Sequence, residues 1–130
     1  MPLTVKDMLA AANAAVEKIT PDKARALMNE GALVVDVREV PEVKTSGKIA
    51  GAHHVSRGML EFRADDTMPT HDASFRKDRP IVLYCASGGR AALAGKVLKD
   101  MGYTRVYNLG GFKDWIEAGG EIDRPLESGM

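Results

Sequence analysis

Two short stretches of this chain are apolar without alternation: Ala32-Leu33-Val34-Val35-Asp36-Val37 and Ile81-Val82-Leu83-Tyr84-Cys85. A strand with one wet face alternates apolar and polar residues. A continuous run suits a strand buried on both faces, as in a parallel sheet. Parallel neighbours need long crossover connections, usually helical, and the surrounding sequence supplies them. Val5, Met8, Leu9, Ala12, Ala15, Val16 and Ile19 fall on one stripe at spacings of three and four, which predicts a helix over Thr4–Lys18. Thr20 is a natural N-cap and Pro21 a natural first helical residue, so a second helix spans Pro21–Asn29, closed by Gly31. Leu93, Ala94, Val97, Leu98 and Met101 predict a helix after the second run, stopped at Gly102. Further short strands are expected at Ala52–Val55 and Thr104–Tyr107, a helical turn at Arg57–Phe62, and, preceded by Gly110-Gly111, a last helix through Ala118. Pro41–Ile49 reads as mostly loop with room for a short helix, Asp65–Pro80 as a long connection, and the tail from Glu121 as irregular. The expected fold class is α/β, a small parallel β-sheet flanked by helices on both faces.

The 130 residues suit one domain with one proper core. Eighteen basic and eighteen acidic residues cancel, and the pI is near 6.8. No global field exists to hold nucleic acid or an anionic membrane, so neither is an expected partner. No apolar run approaches the roughly 20 residues of a membrane span. The N-terminal region is interrupted by Lys6, Asp7, Asn13 and Glu17, unlike a secretory leader, and a cytoplasmic protein is expected. A single cysteine excludes an intramolecular disulfide and any multi-cysteine metal site.

That cysteine carries the chemistry. In open α/β sheets ligands bind beyond the carboxyl ends of the strands, and Cys85 ends the stronger run while Asp36 lies near the end of the other. If the two strands are neighbours, both side chains reach one rim. Cys85-Ala86-Ser87-Gly88-Gly89-Arg90 joins strand to helix. Two glycines bring backbone amides close to a ligand. The helix N-terminus adds free N–H groups and partial positive charge, and Arg90 adds a cation whose fork suits oxyanions. Ala86, Ser87, Gly88, Gly89 and Arg90 thus form a cradle for an anionic group beside the thiol. Such a field can lower a cysteine pKa from about 8.5 into the range 3.5–7.5, which predicts a reachable, nucleophilic Cys85 facing an anionic substrate. A lone strand cysteine is more often a small buried hydrophobe; the Gly-Gly-Arg that follows tips the reading to function.

Four separated motifs occur in order: Asp36-Val37-Arg38-Glu39, Gly47-Lys48-Ile49-Ala50-Gly51-Ala52, the cysteine loop, and Leu109-Gly110-Gly111-Phe112 with Trp115. Together they resemble the signatures of a rhodanese-like sulfurtransferase domain. The resemblance covers about residues 19–120, implies a domain over 19–130 and leaves 1–18 as an N-terminal helical extension. It implies that the Cys85 thiolate takes the outer sulfur of a donor such as thiosulfate, a polysulfide or a persulfide. A thiol, cyanide or a protein acceptor then removes it, with ping-pong kinetics and no metal or organic cofactor. Loop amides from Ala86 to Arg90 would stabilise the persulfide and the departing anion. Related phosphatases place five residues between cysteine and arginine. Here there are four, and position 91 is Ala; the tighter ring suits a persulfide better than a phosphate. Lys48 stands where the family often has His, and Ala86 where thiosulfate-specialised relatives carry a basic residue.

A non-catalytic rhodanese-like binding or regulatory module has no need of an intact cysteine. A redox sensor would lack a resolving cysteine in the same chain. Asp36 as a general base would raise the thiol pKa, so a supporting role, paired with Arg38 or bonded to loop amides, is expected. His53, His54 and His71 raise the question of a Cys–His dyad, but loop histidines are usually solvated. Arg57, Arg63, Arg76, Lys77 and Arg79 are scattered among acids and read as surface.

Overall fold

The computed structural model describes residues 2–124. Five parallel strands form the central sheet in the order β1 (Glu17–Lys18), β6 (Val106–Gly111), β5 (Ile81–Cys85), β2 (Leu33–Asp36) and β4 (His53–His54). The two continuous apolar runs are adjacent, with Leu33 opposite Ile81 and Asp36 opposite Tyr84. Every residue of both strands is buried, as their lack of alternation requires. A two-stranded antiparallel ribbon, β3 (Lys48–Ile49) with β7 (Ile122–Asp123), stands apart.

Strand alternation divides the core in two. Val35, Val37, Leu83, Cys85 and Val106 share one apolar cluster with Leu60 and Ala64 of α4 (Leu60–Ala64) and with Ala91, Ala94 and Leu98 of α5 (Gly89–Asp100). Val34, Val82, Tyr84 and Leu109 share the other with Ala24 and Leu27 of α2 (Pro21–Asn29) and with Phe112 and Trp115 of α6 (Phe112–Glu117). The sheet is thus covered on both faces, as expected for this fold class.

Several boundaries move. The first helix, α1, ends at Ala15, not Lys18. Thr4 caps it through a capping box with Asp7, but Val16 is extended and Glu17-Lys18 pair with Tyr107-Asn108 as an edge strand. Two residues are too few to show a strand period. The polar segment after β2 folds as α3 (Val40–Ser46), which starts from Pro41 at its first turn. The strand expected at Thr104–Tyr107 runs from Val106 to Gly111, so Gly110-Gly111, which precede the last helix, belong to the sheet. The tail is not irregular at its start, because Ile122-Asp123 pair with Lys48-Ile49 and Lys48 Nζ meets Asp123 Oδ2 at 3.0 Å. No helix among the described residues is long and apolar enough to cross a membrane.

Candidate active site

Parallel strands put all their carboxyl ends on one rim. Cys85 ends β5, the middle strand, and the next residues rise into the loop that enters α5. The backbone N–H of Gly88 donates to Cys85 Sγ at 2.9 Å. Gly88 reaches that position with φ at +107°, a conformation that costs glycine little and other residues more. Ala86 and Ser87 are exposed and form the crown of the loop. The cysteine beneath them is only 1 % exposed. The sulfur is therefore less open than the sequence suggested, but its hydrogen-bond donor faces it.

Strand β6 supports the loop from below. A register shift lies between Leu83 and Tyr84, so that Leu83 faces Asn108 but Tyr84 faces Gly110 and Cys85 faces Gly111. This bulge presses bare glycine backbone against the loop. A Cβ on Gly88 would lie 3.2 Å from the Gly110 Cα, and one on Gly111 would lie 2.5 Å from the Ala86 carbonyl oxygen. Asn108 is 3 % exposed and uses both ends of its amide. Its Nδ2 donates to the Gly88 carbonyl at 3.2 Å, and its Oδ1 accepts the Gly110 N–H at 2.7 Å. A trans peptide points its C=O and the next N–H in opposite directions. Holding the Gly88 carbonyl therefore turns the Gly89 N–H away from Asn108.

Arg90 stands differently from the expectation of an unoccupied oxyanion fork. Its two terminal nitrogens donate to Glu42 of α3 at 2.7 and 2.9 Å. The Arg90 hydrogen bonds hold the Glu42 carboxyl down at about 2, against an ordinary value of 4.5, and Glu42 in turn raises Arg90. Glu42 also accepts the Glu39 backbone N–H at 2.9 Å. The loop's arginine is thus tied to α3 by Glu42, while Cys85 also contributes, by charge and hydrogen bond, to raising it. A glutamate whose folded value is depressed contributes stability that is full above its unfolded value and lost as pH falls toward the folded one. Acid unfolding of the wild-type chain should therefore steepen between about pH 4.5 and 2, where Glu42 takes up its proton. Glu42→Gln should flatten that limb in urea melts run across the range. An unchanged limb would show that the clamp does not hold in solution.

Asp36 and Cys85 end neighbouring strands at one rim, but they face opposite sides of the sheet. Asp36 is in register with Tyr84, so its side chain lies on the Tyr84 face, and Cys85 points to the other. Asp36 is fully buried and paired with Arg38, itself 3 % exposed. Arg38 Nε and one terminal nitrogen reach Asp36 at 3.0 and 2.8 Å. The Tyr84 hydroxyl donates to Asp36 Oδ2 at 2.7 Å and accepts the Ile49 N–H at 2.9 Å. Burial works against the Arg38 charge, but the Asp36 carboxylate outweighs it and the guanidinium is raised. Arg38 also donates to Ser46 Oγ and to the Gly47 carbonyl, at 2.8 and 2.6 Å, which fixes the end of α3.

The histidines are occupied elsewhere. His53 meets Asp72 at 2.9 Å, His54 the Arg38 carbonyl at 2.7 Å and His71 the Phe75 carbonyl at 3.2 Å. No cluster of three or more metal-binding side chains occurs among the described residues. Sequence reasoning missed Glu42 and Asn108. An asparagine inside an apolar strand was a usable signal, because a buried amide must find partners; a glutamate in a polar segment carried none.

The Rhodanese-like domain model matches residues 20–118. A thiosulfate sulfurtransferase GlpE of Pseudomonas fluorescens is 35% identical over 102 residues, 76% of this chain and 84% of that protein. A Rhodopseudomonas palustris structure, described as of unknown function and a possible tyrosine phosphatase, is 41% identical with a TM-score of 0.84. That match covers 95% of this chain and 99% of the other. The homodimeric polysulfide-sulfur transferase of Wolinella succinogenes is 33% identical with a TM-score of 0.73, over 94% of this chain and 88% of its own. The sheet order, the six-residue cysteine loop and a domain match over residues 20–118 agree, and the chain belongs to the rhodanese-like family.

Proposed function

We propose that this protein is a sulfurtransferase that carries sulfane sulfur as a persulfide on Cys85. The observation that carries the reading is the Gly88 N–H held 2.9 Å from Cys85 Sγ at the mouth of α5. That bond aims a backbone donor at the atom that bears the negative charge of the attacking thiolate and of the persulfide. The thiolate attacks the outer sulfur of a small anionic donor, thiosulfate or a polysulfide. With thiosulfate, the new S–S bond forms as the old one breaks, and sulfite leaves with the electron pair. In the second half-reaction cyanide or a thiolate attacks the terminal sulfur, and Cys85 leaves as thiolate again. The relatives named as thiosulfate and polysulfide-sulfur transferases support this donor class.

Burial narrows the donor further. A sulfur that is almost covered admits a terminal, two-coordinate atom approaching end-on more readily than a tetrahedral phosphate ester. The loop count agrees, with four residues between Cys85 and Arg90, and Arg90 is engaged with Glu42 in place of an open fork.

Intact-mass measurement after incubation with thiosulfate or polysulfide tests the reading. The wild-type chain should gain one sulfur atom and lose it to cyanide as thiocyanate. Cys85→Ser should gain none. Turnover of an aryl phosphate with no sulfur uptake would replace this function with a phosphatase. An inert thiol toward every donor would leave a binding module.

A further inference from the structure

The matched family domain begins at residue 20, yet α1 and β1 lie against the cysteine loop. Val16 packs so closely on α5 that a Cβ on Gly95 would lie 2.9 Å from both Val16 methyls. Leu9 of α1 comes to 3.9 Å from the position of a Cβ on Gly89, the first residue of α5. Leu9, Asn13 and Lys18 line a cleft of ≈ 190 Å³ whose other walls are Ser87, Gly88, Gly89, Ala92 and Asn108. One water takes about 30 Å³ of liquid, so the cleft has room for a small anion.

Lys18 is placed by the sheet. It is the last residue of β1, so it stands on the same carboxyl rim as Cys85. Val16 lies in the Cys85 cluster and Ile19 in the opposite one, so by alternation Lys18 points to the Cys85 face. β1 is two strands from β5, a lateral offset of roughly 10 Å. The lysine side chain spans part of it: Nζ lies 3.3 Å from where a Cβ on Gly110 would be, and Gly110 underlies Gly88. The lysine is exposed and makes no ion pair within 4.0 Å among the described residues, although Asp114 Oδ2 lies 3.7 Å from the same Gly110 position. Arg90, by contrast, is paired with Glu42.

Charge gives this arrangement a use. A thiolate meeting thiosulfate is an encounter of a monoanion with a dianion, and sulfite departs with two negative charges. Arg90 is shared between Glu42 and Cys85, so a cation outside the loop adds relief to that of the loop amides. We propose that the N-terminal α1–β1 segment completes the donor site, with Lys18 as the cation that recruits the anionic sulfur donor and receives its leaving anion. This deepens the sulfurtransferase reading and rests on it.

The test is the kinetics of sulfur uptake by the full chain from thiosulfate, a dianion, and from benzenethiosulfonate, a monoanion that leaves as sulfinate. Lys18→Gln should raise the thiosulfate KM about 5-fold and Lys18→Glu more than 10-fold, with Lys18→Arg near wild type. The effect should be smaller for the monoanion and should shrink as salt rises, since exposed charges are screened over about 8–10 Å. Lys99→Glu, in the last turn of α5 away from the rim, changes net charge equally and should leave KM unmoved. Wild-type loading with equal KM values across the Lys18 series would overturn the role of Lys18 and leave the sulfurtransferase intact. No loading of the wild-type chain by either donor, nor by polysulfide, would overturn both.

Discussion

Arg38→Met should remove about 3–5 kcal/mol from the stability of the fold, because it strands a buried carboxylate. Asp36 is fully buried, and among the described residues its positive partner is Arg38. Methionine fills much of the volume but supplies no charge and no donors. Asp36 would keep only the Tyr84 hydroxyl at 2.7 Å and the position-38 N–H at 2.9 Å. The guanidinium also lies 4.4 Å from the Phe112 ring centroid and 5.7 Å from that of Tyr84, and both contacts would go. A whole domain is stable by only about 5–15 kcal/mol, so the loss is a large share. Urea unfolding should show a much lower midpoint with an unchanged slope. Asp36→Leu combined with Arg38→Met removes both charges and should recover part of the loss, as replaced buried pairs often do. A shift below about 1 kcal/mol for Arg38→Met would mean that the pair is hydrated in solution.

The same substitution should reach the cysteine loop. Arg38 holds Ser46 and Gly47 at the end of α3, and Glu42 in the middle of α3 clamps Arg90. The chain of contacts therefore runs from the buried pair on one sheet face, over the rim, to the loop on the other. Loss of the pair should therefore move the loop although neither residue touches the sulfur.

What could be seen beforehand follows the length of the pattern. β2, β5, α2 and α5 announce themselves, since each repeats its signal over four or more residues or carries its own cap. The loop from Cys85 to Arg90 is legible because its residues are contiguous. β1, β3 and β7 are two residues each and are defined only by their partners. Glu42, Asn108 and Lys18 come together with the loop from segments 18 or more residues away, and no local spacing encodes such a meeting. The Glu42 partner of Arg90 escapes local spacing for the same reason, being 48 residues distant. The face occupied by Asp36 was open until the register with Tyr84 was known, because a slip of one residue reverses every side chain.

Gly111→Ala should slow sulfur loading about 100-fold, the scale of loss when a reacting group is displaced by about 1 Å. The reason is contact, not backbone conformation. Gly111 has φ at −103°, which alanine adopts freely. Its missing side chain is the space in which the Ala86 carbonyl sits, 2.5 Å from the position of a Cβ. Neither neighbour can yield alone. Ala86 follows Cys85, and Gly111 is paired with Cys85 across the sheet. The loop must lift, and the Gly88 N–H must leave the sulfur. Overpacking of this kind costs about 1–3 kcal/mol, so the chain should still fold, and its activity should fall further than its stability. Gly31→Ala is the contrast. Gly31 has φ at +97° but nothing within 4 Å of a Cβ, and it precedes β2 at the amino end of the sheet, opposite the rim that carries the site. That change should cost about 1–2 kcal/mol of backbone strain and leave the loading rate of the folded protein alone. If Gly111→Ala takes up sulfur at the wild-type rate, the cysteine loop is not seated on β6, and the geometry assigned to the nucleophile is wrong.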